Sequence, residues 1–403
     1  MRKAIRPWPL VLAAALAALP ASAHDARFYR RGRHLFHEIA GVIPAVAPRI
    51  RVESALGSVR VLGSSAPEVR YRIQLRASGV GDAEGQALLE KLLVSAGRKG
   101  EWIIFRGEAA QTRSLDGLAA EFVLEVPRDA LEIEAITGAG DVVVRGLRGR
   151  ATLLSRGGDI VAEDLGGPLR AETLSGNVRA ARIRSAVSVA SGGGGVRLDR
   201  TDGDVVVRTS GGHVVVGHVG GSVRAETGGG DVRVEEVAGD VHVASVGGNI
   251  VLGSVGGEVK ASTGGGSIRV ASARGGVECE TAAGPIDLRG IRGPIHAITS
   301  LGSIRADLSG PGGAPGDSDL QTWQGDVVVL LPESLALTVR ALVDSPLGPR
   351  ITSDFPLSIR REIESAGRPI EVAEGEIGGG GSLLDIRTLG GNVLILKSGK
   401  VGE

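Results

Sequence analysis

The chain has 403 residues, of which 64 are glycine and only 2% are aromatic, yet 42% of it is hydrophobic. That apolar fraction excludes a disordered polar chain, and small and β-branched apolar residues suit thin stacked layers better than one bulky core. Basic and acidic residues balance at 46 each, so no global attraction to nucleic acid or an anionic membrane is expected.

Residues 1–23 read as a secretory signal. Arg2, Lys3 and Arg6 form a basic end, "PLVLAAALAALP" an apolar run, and "ASA" at Ala21–Ala23 a cleavage site before His24. The apolar run is short of the roughly 20 residues a spanning helix needs. Nothing later reaches that length, so an exported chain, not an integral membrane protein, is expected, in the periplasm, the outer envelope or outside the cell. The single cysteine, Cys279, leaves no intrachain disulfide, so packing must supply stability.

Residues 24–137 are predicted to form an irregular β-rich cap with one short helix. "RIRVESALGSVRVLG" (Arg49 to Gly63) looks like a worn repeat unit, and "VRYRIQLRA" from Val69 alternates as a strand does. "EGQALLEKLLVSAG" (Glu84 to Gly97) places Leu88, Leu89, Leu92 and Leu93 at helical spacing. Trp102, Phe105 and Phe122 are candidate core aromatics of this thick end.

From 138 to 308 the chain falls into nines, such as "DVRVEEVAG" from Asp231, "DVHVASVGG" from Asp240 and "NIVLGSVGG" from Asn249. Each unit has two apolar positions two apart, the mark of a strand with one buried face, then often a third apolar residue (Leu165, Ile183, Val237, Val255 or Ile291) and a glycine-rich corner. A longer period overlies this. Thr173, Ser191, Thr209, Thr227, Ser245, Thr263, Thr281 and Thr299 recur once in every second unit, without exception. The fold class expected is therefore all-β: a β-solenoid (β-helix) with about 18 residues per coil and a stacked hydroxyl column able to hydrogen-bond the next coil. A coil of three units would scatter that column. Antiparallel hairpins in a sandwich or barrel would show turns of varied length and a more aromatic core.

Residues 309–319, "SGPGGAPGDSD", read as a flexible loop, and 320–403 as irregular coils whose terminal segment caps the far end.

The motifs "ALGSVRVLG", "FVLEVPRDALEIEAITGAGDVVVRGL" (Phe122 to Leu147), "TWQGDVVVLLPESLALTVRA" (Thr322 to Ala341) and "GGGGSLLDIRTLGGNVLIL" resemble a bacterial family of adhesin-like proteins with β-strand repeats, built on a domain of unknown function. The resemblance spans nearly all of the chain after the signal. It implies a cell-envelope or exported setting and brings no catalytic residues with it.

Few residues suggest chemistry of their own. The calcium-binding roll needs several oxygen ligands per corner. Here "GGGDVRVEE" offers one aspartate, replaced elsewhere by Asn249, Ser267 or Pro285. His242 and His296 share a column three coils apart, and His213 and His218 lie in turns, so all four read as surface histidines and no metal site is expected. Cys279 pairs with Val277 as an inward residue. Glu172, Glu226 and Glu280 point outward three coils apart, and Asp199 and Glu235 stand alone, without the close pairing of glycosidase acids. No phosphate loop occurs, and one hydroxyl column is not the flat grid of an ice-binding face. No catalytic residue and no cofactor are expected.

The outward residue between the apolar pair is basic on both faces: Arg170, Arg224, His242 and Lys260 on one, Arg179, Arg197, Arg233, Arg269 and Arg305 on the other. Spaced charges are an ordinary solvated face that discourages lateral stacking. They also suit shallow multivalent contact with an anionic glycan or envelope polymer, for which those five arginines are the candidates. The reading is a non-enzymatic exported rod, adhesive or structural. The alternatives are a self-associating envelope scaffold and a carbohydrate-active enzyme with a site in the flanks.

Overall fold

The computed structural model describes residues 25–109, 116–308, 316–344, 348, 350–363 and 369–398. The signal segment and residues 309–315 of the expected loop lie outside the described residues. Ser318 and Asp319 already belong to the strand Ser318–Thr322.

The nine-residue units become single strands, and consecutive strands lie on opposite faces. Strands Val232–Val237 and Ile250–Val255 are parallel neighbours in the first sheet, with Val232 opposite Ile250. Strands Val241–Ser245 and Val259–Thr263, one unit on from each, are parallel neighbours in the second, with Val241 opposite Val259. One coil is therefore two units long, and the chain is a β-solenoid. Eleven strands stack in the first sheet from Val142–Arg145 to Val327–Leu331. Their ten steps of about 4.8 Å span about 48 Å.

Inward residues of both faces meet in a thin core. Val232, Val234, Val241 and Val243 are at most 2% exposed, and the third apolar positions Leu165, Ile183, Val237, Val255 and Ile291 are equally buried. A lone coil has nothing to cover its upper and lower edges, and its neighbours supply the backbone ladder. At the corner that follows the second sheet, a glycine recurs because no side chain fits. A Cβ on Gly230 would lie 2.2 Å from the Gly212 carbonyl oxygen, and one on Gly248 2.1 Å from that of Gly230.

At both ends the spatial order departs from chain order. Strand Ser58–Ser64 is held between Val142–Arg145 and Leu118–Pro127, parallel to both. Strand Arg49–Ser54 likewise sits between Trp102–Ala109 and Glu132–Thr137. The unit read as a worn repeat is thus an internal coil, and the chain winds outward past it before returning. Antiparallel strands Glu68–Ser78, His34–Pro44 and Asp25–Arg31 extend the first sheet beyond it. Phe105 and Phe122 are fully buried there, while Trp102 is half-buried with the Arg51 guanidinium 5.1 Å from its ring centre.

The helix is shorter than its leucine spacing suggested. It runs Asp82–Leu89, and Leu92–Lys99 is a strand antiparallel to Trp102–Ala109. Sheet pairing outcompetes helical periodicity after Leu89. Leu92 is buried, and Leu93, on the opposite side of the strand, is 59% exposed.

The far end mirrors the near one. The terminal strand Val393–Lys397 does not cap the rod. It is paired on both sides, with Val327–Leu331 and Ile351–Ser353. The end of the second sheet is instead built by the antiparallel strands Leu337–Val343, Pro369–Ile377 and Ser358–Ile363.

Candidate functional site

The five candidate arginines share one outward row of the first sheet. Arg179 faces Arg197, and from Arg197 onward the row reads Val215, Arg233, Val251, Arg269, Asp287, Arg305. Arg197, Arg233, Arg269 and Arg305 thus recur every second coil, about 9–10 Å apart. All five are exposed. Four have acid partners: Asp199 lies 3.7 Å from Arg179 and 3.1 Å from Arg197, Glu235 3.9 Å from Arg233, and Asp287 3.5 Å from Arg269. For Arg305 there is no ion pair among the described residues. These exposed pairs contribute little to stability and open readily to another anion.

The second sheet is similarly balanced. Arg170 pairs with Glu172 at 2.6 Å, and Arg224 with Glu226 at 2.6 Å. Burial alone would raise the Glu226 carboxyl, but Arg224 and Arg208 more than offset it and hold it below the usual carboxylate range. Lys260 does the same for Glu278 through a 2.8 Å contact. Glu280 is exposed on the same sheet.

The remaining candidates are dispersed. His242 sits between Arg224 and Lys260, and His296 between Glu278 and Asp319. His213 accepts the Asp231 N–H at Nδ1, and His218 lies 3.3 Å from Glu236. Cys279 is 1% exposed, and burial pushes its thiol up, away from the thiolate a nucleophile needs. No group of three or more His, Cys, Asp and Glu is arranged to hold a metal among the described residues.

The hydroxyl residues Thr173, Ser191, Thr209, Thr227, Ser245, Thr263, Thr281 and Thr299 form one buried column at the corner after the second sheet. Each donates to a glycine carbonyl of the preceding coil at 2.8–3.0 Å; Thr227, for example, donates to Gly212. From Thr173 to Thr281 each also accepts the N–H of the glycine three residues on, such as Gly230 onto Thr227. One hydroxyl therefore ties the corners of two coils. The column continues through Thr137, Ser155, Thr322 and Thr388. The constant spacing of the column reaches the first two. The inserted loop and the displaced terminal coil hide the other two.

A second ladder explains the Asp/Asn/Ser position that had suggested calcium. The side-chain oxygen of Asp141 accepts the Asp159 N–H at 2.9 Å, that of Asp159 the Asn177 N–H at 2.7 Å, and that of Asn177 the Gly195 N–H at 2.9 Å. Asp231 caps Asn249 and Asn249 caps Ser267 in the same way. The series pauses at Pro285, which has no N–H to cap. The other corner repeats the device with Asp204, Ser222 and Asp240. These oxygens are committed to backbone donors of the next coil, which is what a short polar side chain at a tight corner does well.

No family model matches the chain, and no curated protein matches it. Three solved structures are similar to it at low identity. A "putative adhesin" from Bacteroides fragilis shares 13% identity at TM-score 0.26, over 72% of this chain and 95% of that one. A "putative cell adhesion protein" from Clostridium sporogenes shares 9% at TM-score 0.19, over 90% and 99%. A "putative lipid binding protein" from Parabacteroides distasonis shares 10% at TM-score 0.25, over 72% and 94%.

Proposed function

We propose that the protein is a non-enzymatic, exported rod of the cell envelope or its exterior, which holds an anionic glycan or envelope polymer through many shallow contacts. The observation that carries this reading is the outward row Arg197, Arg233, Arg269 and Arg305, repeated at every second coil on a rigid parallel stack. Fixed spacing lets a polymer engage several guanidinium groups at once, and the second contact costs far less than the first. Each contact is weak, because all but Arg305 already have acid partners and the chain is charge-balanced.

End-to-end polymerisation is the less favoured alternative. The strand Ser358–Ile363 at the far edge is exposed along its length and carries Arg360, Arg361 and Glu362, charges that oppose strand addition. The test is binding of the secreted chain to an array of acidic and neutral glycans at low and physiological salt. Salt-sensitive binding to acidic polymers, weakened in the Arg179→Ser/Arg197→Ser/Arg233→Ser variant, is expected. Binding indifferent to salt and to those changes contradicts the reading.

A further inference from the structure

The rod is not uniform along its edge. At the corner that follows the first sheet, the early coils enclose an open cavity of about 540 Å³ that the periodic sequence does not repeat. Backbone hydrogen bonds set its floor: Arg148 N–H donates to Arg128 O, Gly166 to Leu147, Arg184 to Leu165 and Asp202 to Ile183. Each donor lies beside the residue after its acceptor, so one corner row reads Asp129, Arg148, Gly166, Arg184, Asp202, about 19 Å in four steps, and Arg128, one residue before Asp129, lines the cavity. Gly166 has no side chain, so a gap opens between Arg148 and Arg184.

Two further features mark this place. Asp164 and Arg182, one coil apart on its wall, have φ of 57° and 56°. Only one other non-glycine residue among those described, Ala47, has positive φ. Such backbone costs free energy and persists where the surroundings impose it, often at ligand sites. These two residues also form a two-pronged ion pair, with contacts of 2.5 and 2.9 Å. The second feature is charge. Five arginines line the cavity against two aspartates, Asp164 and Asp202. Arg148 is tied to Asp129 at 2.8 Å, and Arg200 lies 3.7 Å from Asp202. Arg128 and Arg184 have no ion pair among the described residues. Asp164 is held below the usual carboxylate range first by the Arg182 hydrogen bond, with the charges of Arg182, Arg184 and Arg145 adding to it. Arginines thus outnumber acids along the groove.

We infer that this groove is a discrete binding site for an acidic oligosaccharide lying along the rod's edge, with Arg128 and Arg184 gripping its carboxylate or sulfate groups and Asp164 and Asp202 accepting its hydroxyls. Guanidinium forks match those anions in pairs of hydrogen bonds. The two carboxylates select a ligand that also carries donors, which a bare polyphosphate lacks. The inference rests on the anionic-glycan reading above but moves the tight contact from the flat arginine row to this corner.

The test is titration calorimetry of the full secreted chain with a sulfated heparin hexasaccharide, with neutral maltohexaose and tripolyphosphate as comparators. The hexasaccharide binds and maltohexaose does not. Arg128→Ser/Arg184→Ser weakens binding by about tenfold or more, whereas Arg70→Ser/Arg76→Ser, at exposed positions of strand Glu68–Ser78, changes it by less than about twofold. Both pairs are exposed, so thermal melting of each variant should match the parent. Groove-variant binding within about twofold of the parent overturns the site, and so does a parent that ignores the hexasaccharide. Tripolyphosphate binding as tightly overturns the glycan assignment. If Arg197→Ser/Arg233→Ser on the flat row loses binding while the groove variant keeps it, the display reading stands and the groove does not.

Discussion

Replacing Thr227 with valine isolates what the hydroxyl column contributes. Thr227 is 6% exposed, donates to Gly212 O at 2.9 Å and accepts Gly230 N–H at 3.2 Å. Valine keeps the shape and strips both partners. Each buried backbone group left unpaired costs about 1–3 kcal/mol, so two give about 2–6 kcal/mol, with the lower end favoured where water reaches the corner. Thr227→Ser keeps both bonds, as Ser191 and Ser245 do in the parent, and should cost well under about 1 kcal/mol. A long repeat array does not unfold in two states, so one melting temperature would blur the effect. Native-state hydrogen exchange reads it locally: the Gly230 amide and the adjoining strands should exchange about tenfold or more faster in Thr227→Val than in Thr227→Ser. Equal exchange in the two variants would refute the claim that the column ties coil to coil.

Three more outcomes follow from the same geometry. Excising one whole coil, Asp231 to Gly248, should leave a folded chain with parent-like circular dichroism, whereas excising half a coil, Asp231 to Gly239, should disrupt it, because every later strand then meets the wrong sheet. Thr201 is 2% exposed with no partner for its hydroxyl among the described residues, so Thr201→Val should slow exchange around it, stabilising by about 1 kcal/mol. In the cap, burial would raise the Glu38 carboxyl, but Arg27 above all, with Arg72 and Gln74, leaves it depressed. Its folded value lies below its unfolded one, so its contribution is complete above the ordinary carboxylate range and fades as pH falls through the depressed value. Exchange protection of Asp25–Arg31 should drop on acidification below about pH 4.5, and Glu38→Gln should remove that dependence.

The regular array was legible because its signals are local. Val232 and Val234 mark a half-buried strand, Gly230 its corner, and the Thr/Ser spacing the coil length. The ends were not legible because pairing there depends on contacts between distant segments. Nothing in "SLLDIRTLGGNVLIL" says that its strands enter between two earlier ones. Leu92 and Leu93 misled because spacing alone cannot tell a helix from a strand that follows one. The Asp/Asn/Ser column was visible as a pattern, but its role as a cap for the next coil's N–H appears only once the coils are stacked. The groove rests on a missing side chain at Gly166 and on two left-handed residues, neither of which leaves a periodic trace.

The most direct test of distributed contact is to change the number of coils. Excising Asp231 to Gly266 removes two whole coils, and Arg233 with them, while Gly230 meets Ser267 in frame. The affinity of a long acidic polysaccharide for the shortened rod should fall several-fold, while that of the short hexasaccharide at the intact groove should not change. An unchanged affinity for the long polymer would contradict the account of a rod that binds through its repeats.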